Sequence, residues 1–363
     1  GRPDLAVPQL RAILADQPRL ERVRLTLATA LRETGDEEGA RHHFELLLGS
    51  GLDPDLDRRI RASLATLEED KKWSVSANFA LVPSTNVNLG TNHDEIDIGG
   101  ITFLPSPDAR QRSGIGAQYG LDAAYRLPLA NSWSATARSG ISRRDHRGSR
   151  SDETGVEVAL GLLNNTPIGY WGVEAVGTRD WAADPSGSQT PSMAPWGARI
   201  YGRFVPSKAG RVDFSAQAIK RDYRHTDILD GYRTDIQVNA DRFLDSSSFL
   251  RLLAGGVYEG AGRKDLTFHD ATIGVGLFRE WNSGITTYLQ GSVAGRWHHD
   301  DFAFAGEPRK DIRASALLRV AKRDFTVFGL APYWQVNYTK NDSNIDLYDY
   351  NKLDISFGWT RTF

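Results

Sequence analysis

The chain has no cysteine, so neither a disulfide framework nor a thiolate metal centre can form. It has a single methionine, Met193. Basic and acidic side chains nearly cancel, 44 against 46, which leaves no global field to draw nucleic acid. No run approaches the roughly 18–20 apolar residues of a membrane helix. Catalytic signatures are missing as well: there is no G-x-S-x-G elbow, no Walker A loop and no H-E-x-x-H pair. The first residues carry no charged and apolar leader, so any export signal is expected to have been removed or to lie outside these 363 residues. Only 40% of the residues are hydrophobic. The lack of long apolar runs excludes helical spans but not a membrane β-barrel, whose strands alternate lipid-facing apolar and lumen-facing polar residues.

What is present divides into two parts with different periods. Residues 1–72 place apolar side chains at helical spacing in Pro8–Ala15, Leu20–Gly35 and Glu37–Gly51, with a last helix over Asp53–Trp73. Gly35 and Gly51 stand where helices stop. The stretch from Gly1 aligns on the stretch from Gly35: Ala6 meets Ala40, Leu10 meets Phe44 and Ile13 meets Leu47. An offset of about 34 residues is the period of tetratricopeptide (TPR) helix pairs, in which a small residue lets paired helices approach and a large one fills the gap. Leu27, Ala28 and Leu31 fit the same scheme, although the usual Trp and Tyr are absent. A TPR-like unit is expected, entered mid-repeat at Gly1, with further repeats upstream.

From residue 73 to 363 the period is two. Fourteen strands are predicted, at about 73–81, 116–127, 132–142, 153–163, 168–178, 195–205, 210–220, 231–242, 248–258, 268–279, 284–297, 310–320, 324–337 and 351–363. Short connections such as Pro128–Asn131 and Asn164–Pro167 alternate with long ones, of which 82–115 is the longest. Alternating short and long connections are the pattern of outer-membrane barrels. The expected fold is a fourteen-stranded antiparallel transmembrane barrel preceded by a small helical domain. An even strand count puts both barrel ends on one side, which makes the helices periplasmic. A soluble sandwich would give no reason for the alternating loops.

The polar face carries both signs of charge: Asp122, Arg126, Arg211, Asp213, Arg233, Asp235, Asp241, Arg251, Asp311, Arg313, Arg319 and Asp354. Most are expected to brace a wet interior as ion pairs. Metal sites are not supported. The histidines in Trp297–Asp301 alternate faces on a strand, and Asn341–Lys352 lacks the glycine and final glutamate of an EF-hand loop. No cofactor is expected. The segment Pro83–Asn92 holds Asn86, Asn88 and Asn92 with no charge at all. Amides donate and accept at once, so Asn86 and Asn88 are expected to fold inward as a constriction or gate, with surface turn-capping as the alternative.

Helical repeats, then a fourteen-strand barrel, with Pro83-x-x-Asn86-x-Asn88 following a strand that starts at Trp73, is an order that resembles the surface lipoprotein assembly modifiers (Slam). These are the outer-membrane components of type XI secretion. The end of the chain, with Ile355, Phe357, Trp359 and Phe363 on one face, also resembles the signal read by the barrel assembly machinery, from which Arg361 departs. The resemblance implies a Gram-negative outer-membrane translocator that delivers lipoproteins or soluble proteins, often concerned with haem or metal acquisition, to the surface. It implies a client protein, the assembly machinery and outer-membrane lipid as partners, with no catalytic residue and no cofactor. The competing expectations are a passive or nutrient-specific porin with a scaffold domain and, further off, a lipid-hydrolysing barrel.

Overall fold

The computed structural model describes residues 2–70, 72–146, 152–183, 189–193, 195–207, 209–223, 227–303, 305–325 and 330–360. Four helices come first: α1 (Pro3–Asp16), α2 (Glu21–Glu33), α3 (Glu37–Leu47) and α4 (Pro54–Asp70). A proline at the first helical position opens α1, where its missing N–H costs nothing. Asp36 caps α3 by accepting from the Gly39 N–H at 3.1 Å. Gly35 has φ +80° and Gly51 φ +65°, left-handed conformations in which glycine carries no steric penalty. Ala28 and Ala40 are fully buried beside Leu27, Leu31, Phe44 and Leu47. The second half of the small-and-large pattern makes the helix core and Leu10 packs against it, whereas Ala6 is only half-buried and Ile13 is exposed.

The barrel strands are β1 (Trp73–Ser84), β2 (Gly114–Pro128), β3 (Trp133–His146), β4 (Glu153–Thr166) and β5 (Gly169–Ala183). Then come β6 (Trp196–Ser207), β7 (Gly210–Arg221), β8 (Gly231–Asp245), β9 (Ser248–Ala261) and β10 (Phe268–Glu280). The last are β11 (Ile285–Asp301), β12 (Pro308–Lys322), β13 (Ala331–Ser343) and β14 (Tyr350–Thr360). Each pairs antiparallel with its neighbours in sequence, and β14 pairs with β1, so the sheet closes into a fourteen-stranded barrel. Among the described residues every barrel strand therefore has a partner on both sides, as a sheet that meets lipid requires. A short strand, Gln189–Met193, pairs antiparallel with the end of β5, from Asp180 to Ala183. A small hairpin, Ile96–Ile98 with Ile101–Phe103, stands in the longest loop and turns on Gly99 and Gly100, both at positive φ.

The alternation places Leu121, Val158, Leu160, Ile273, Leu289 and Ile312 on the outer face, all exposed. An outward apolar band is what a barrel buries in hydrocarbon. Aromatic residues frame the band. Trp73 packs at a tilt against Tyr125 and Trp133 meets Trp171 edge-on at the short-turn end, while Tyr232, Tyr258 and Trp297 lie exposed at the long-loop end. Ile355, Phe357 and Trp359 lie along β14, with Phe357 and Trp359 exposed; Phe363 and Arg361 lie outside the described residues.

One strand sits further along the chain than its alternation suggests. β13 begins at Ala331 and not at Asp324, and it runs on to Ser343. The connection 323–330 is consequently longer than 344–349, which reverses the short–long order for that pair. The cause is Arg323, whose backbone N–H donates to the Gly284 carbonyl at 2.9 Å and whose guanidinium is claimed by the helices. The chain is held at the rim before it can turn back.

Candidate functional site

The helices do not hang free of the barrel. Phe243, Phe249 and Phe278, at the short-turn ends of β8, β9 and β10, belong to the same buried core as Leu14, Leu27, Phe44 and Leu46. Gly49 lies so close to β8 that a Cβ there would meet the Phe243 Cβ at 2.8 Å. Arg61 of α4 donates to the Val205 carbonyl of β6 at 3.2 Å. Arg323 donates to the Leu14 carbonyl of α1 at 2.9 Å. The described contacts run from the β4–β5 turn round to the β12–β13 connection. The helices thus cap most of the short-turn mouth.

At the centre of this interface is Glu280, the last residue of β10, whose side chain has no exposed surface. Its carboxylate pairs with Arg24 of α2 and with Arg323, and it meets His42 Nε2 of α3 at 3.1 Å. The Arg24 guanidinium also donates to His43 Nδ1 at 2.8 Å. That bond requires a neutral His43 with its proton on Nε2. Burial, then the charge of Arg24, holds the His43 pKa well below the ordinary 6.5. His42, His43 and Glu280 are close enough to share a metal ion. Two guanidiniums already supply the positive charge, however, so a cation would meet repulsion there.

Inside the barrel the charges form chains of pairs. Arg233 bonds Asp235 at 2.7 Å and Glu259 at 3.1 Å. Arg251 meets Asp241 at 2.7 Å, Arg313 meets Asp270 at 3.3 Å, Asp311 meets Arg309 at 2.6 Å, and Asp354 meets Lys352 at 3.2 Å. Asp122 lines a cavity of about 540 Å³ with Arg138, Glu157 and Asp180. The Arg126 backbone N–H donates to the Lys72 carbonyl at 2.7 Å, close to where the helices join the barrel. A second lumen cavity of about 420 Å³ is lined by Arg199, Gln217, Asp235 and Thr272. Glu45 of α3 reaches into this array and pairs with Arg211, with Arg203 at 4.0 Å. The helical cap is therefore wired into the lumen wall.

The asparagine segment occupies the opposite, long-loop mouth. Asn86 is fully buried; its Nδ2 donates to the carbonyls of Gly90 at 2.9 Å and Asn351 at 3.2 Å, and its Oδ1 accepts from the Gly90 N–H at 3.0 Å. Asn88 donates to the carbonyls of Asp108 and Arg110 at 2.9 and 2.8 Å and accepts from the Arg112 N–H. Thr85 exchanges two bonds with Leu353, and the Asn92 N–H donates to the Asp349 carbonyl. The segment thus continues the β1–β14 pairing above the sheet. That pairing is the sparsest in the barrel among the described residues: four partner pairs, against nine for β5–β6. Pro83, with no N–H to donate, sits where the β1–β14 partners skip from Leu81↔Phe357 to Ser84↔Asp354. The partners of Asn86 and Asn88 are backbone groups of the loop and of β14, while the lumen charges pair among themselves.

The structure joins some of the residues singled out from sequence and separates others. Arg233 and Asp235 meet; the Asn segment stands apart from them. Glu157, Glu174, Glu259 and Asp270 escaped the sequence reading although they share the inward face of their strands. Alternation alone was enough to find them. Glu280, Arg24, Arg323 and Glu45 had no such signal, since each lies in a helix or at a turn.

A capped fourteen-stranded barrel with a stapled seam now stands beside known proteins. The family model described as surface lipoprotein assembly modifier matches residues 73–363. This chain belongs to that family. Surface lipoprotein assembly modifier 1 of Haemophilus influenzae is 22% identical over 374 aligned positions, covering 99% of this chain and 74% of that protein. The protein of the same name from Neisseria meningitidis is 24% identical, covering 100% and 73%. Among solved structures, Pseudomonas putida OprB covers 82% of this chain and 95% of its own at 12% identity and a TM-score of 0.45. The P. putida toluene transporter TodX covers 81% and 91% at 10% identity and a TM-score of 0.43.

Proposed function

We propose that this surface lipoprotein assembly modifier moves specific client proteins, lipidated or soluble, across the outer membrane to the cell surface. In this reading residues 1–72 form a periplasmic TPR-like receiving domain and residues 73–363 the outer-membrane barrel. The barrel assembly machinery would insert the chain by its C-terminal strand, and outer-membrane lipid would surround it. The observation that carries the reading is the docked helical cap. Simple diffusion has no use for four helices wired by Glu45 and Glu280 across the mouth of the pore. A device that accepts a protein and hands it to a polar lumen does. The same observation weighs against a passive porin, whose entrance would be left open.

Deleting residues 2–70 tests this. Barrel assembly is checked by heat-modifiable migration, and display of a co-expressed candidate lipoprotein by antibody binding to intact cells. The expected outcome is an assembled barrel with display lost. Unchanged display would overturn the receiving role of the helices.

A further inference from the structure

A cavity of about 300 Å³ lies between α3 and the rim of the lumen, at the lower end of the size of ligand pockets. Arg203, Arg211, Arg251 and Arg319 all border it. The first three have carboxylate partners. Arg203 meets Asp213 at 2.5 Å, Arg211 pairs with Glu45 and Asp241, and Arg251 holds Asp241. Arg319 has no carboxylate within ion-pair distance among the described residues, and its buried Nε has no acceptor. Its described contact is the face of Tyr333, with the guanidinium carbon 4.4 Å from the ring centroid. A half-buried guanidinium without a counterion is a place for an anion, because a charge-assisted bond there replaces hydration already lost.

The rest of the wall narrows the choice. Phe249 and Phe278 stack at 4.9 Å beside the cavity, with Tyr288 next to them, so an apolar group would sit close to the anion. Across from the rings α3 presents Glu38 and His42, which break the apolar surface after a short span. A lipid tail needs an unbroken apolar slot. One or two residues of an extended chain need a short apolar contact flanked by polar groups.

Building on the translocation reading, we propose that this cavity holds a carboxylate of a polypeptide, C-terminal or acidic, together with its apolar neighbour, at the threshold between helical cap and lumen. Arg319 is the anion-binding residue, and the three rings form the seat for the side chain.

The test uses the full chain in nanodiscs and the acetylated pentapeptide Ala-Ala-Ala-Leu-Phe as free acid and as C-terminal amide. The acid is expected to bind at least about ten-fold tighter than the amide. Arg319→Gln should abolish that preference and Arg319→Lys should keep part of it, with heat-modifiable migration unchanged in both. Equal binding of acid and amide, or an Arg319→Gln protein that still prefers the acid, overturns the proposal. Laurate competing more strongly than the peptide acid overturns the polypeptide assignment and makes this a lipid site. Surface display measured in parallel separates the two readings. Failed display with the acid–amide contrast intact refutes translocation alone, and intact display without the contrast refutes this site alone.

Discussion

Glu280 shows how one residue can join two parts of a molecule. It is fully buried and balances Arg24 and Arg323, and its partner Arg24 lies 256 positions away in sequence. Glu280→Gln would leave two guanidiniums facing a neutral amide without solvent. Removing one member of a buried pair costs about 3–5 kcal/mol. The expected result is a barrel that still assembles while its helices become rapidly cleaved in limited proteolysis. His43 adds a pH dependence. Released from this site it titrates near its ordinary 6.5, but in the docked state it stays neutral well below that value. The docked state therefore binds fewer protons, so docking is at full strength above about pH 6.5 and weakens as pH falls below it. Arg24, Arg323 and His42 face the same spot, and among the described residues Glu280 is the acid that opposes them. Helix protection should fall between about pH 7 and about pH 5, and His43→Gln, which cannot gain a proton, should flatten the curve.

At the scale of elements, the strands were legible because each turns one apolar and one polar face, and that period survives folding unchanged. Thirteen of the fourteen predicted strands overlap their observed positions closely, and the exception, β13, was displaced by a tertiary hold on Arg323. Local alternation cannot report such a hold. The asparagine segment was visible as an oddity of composition, but its partners were not, because Asn86 bonds a carbonyl on the last strand, 265 residues away. Replacing both Asn86 and Asn88 by alanine removes the donors that tie the longest loop to β14 and to its own far limb. A buried unsatisfied carbonyl costs about 1–3 kcal/mol. The double variant should keep its heat-modifiable barrel yet lose protection of the 85–113 loop from protease, and, if the segment acts as a gate, impair export. Normal export would remove the gate from the account and leave a seam staple. Gly49 gives a matching test on the helical side. Gly49→Leu drives a side chain into Phe243, and it should undock the cap without disturbing α2 and α3.

At the scale of the whole molecule, the sequence separated helices from barrel but left them unconnected. The docking surface is built from turn phenylalanines, a turn glutamate and helix-borne arginines, each unremarkable in its own segment. Only the closed cylinder brings them together. The result is a wet, ion-paired lumen with helices over one mouth and a stapled loop over the other, in a chain that belongs to the surface lipoprotein assembly modifiers. In the proposed function this arrangement moves proteins and is not simply a hole. The most direct measurement is surface exposure of a candidate client lipoprotein on intact Gram-negative cells that do or do not produce the full chain, read by antibody binding and by sensitivity to external protease. Client is expected on the surface only when the chain is present, with the outer membrane otherwise sealed. A client that stays inside while the assembled barrel shows a steady open conductance in planar bilayers would contradict it.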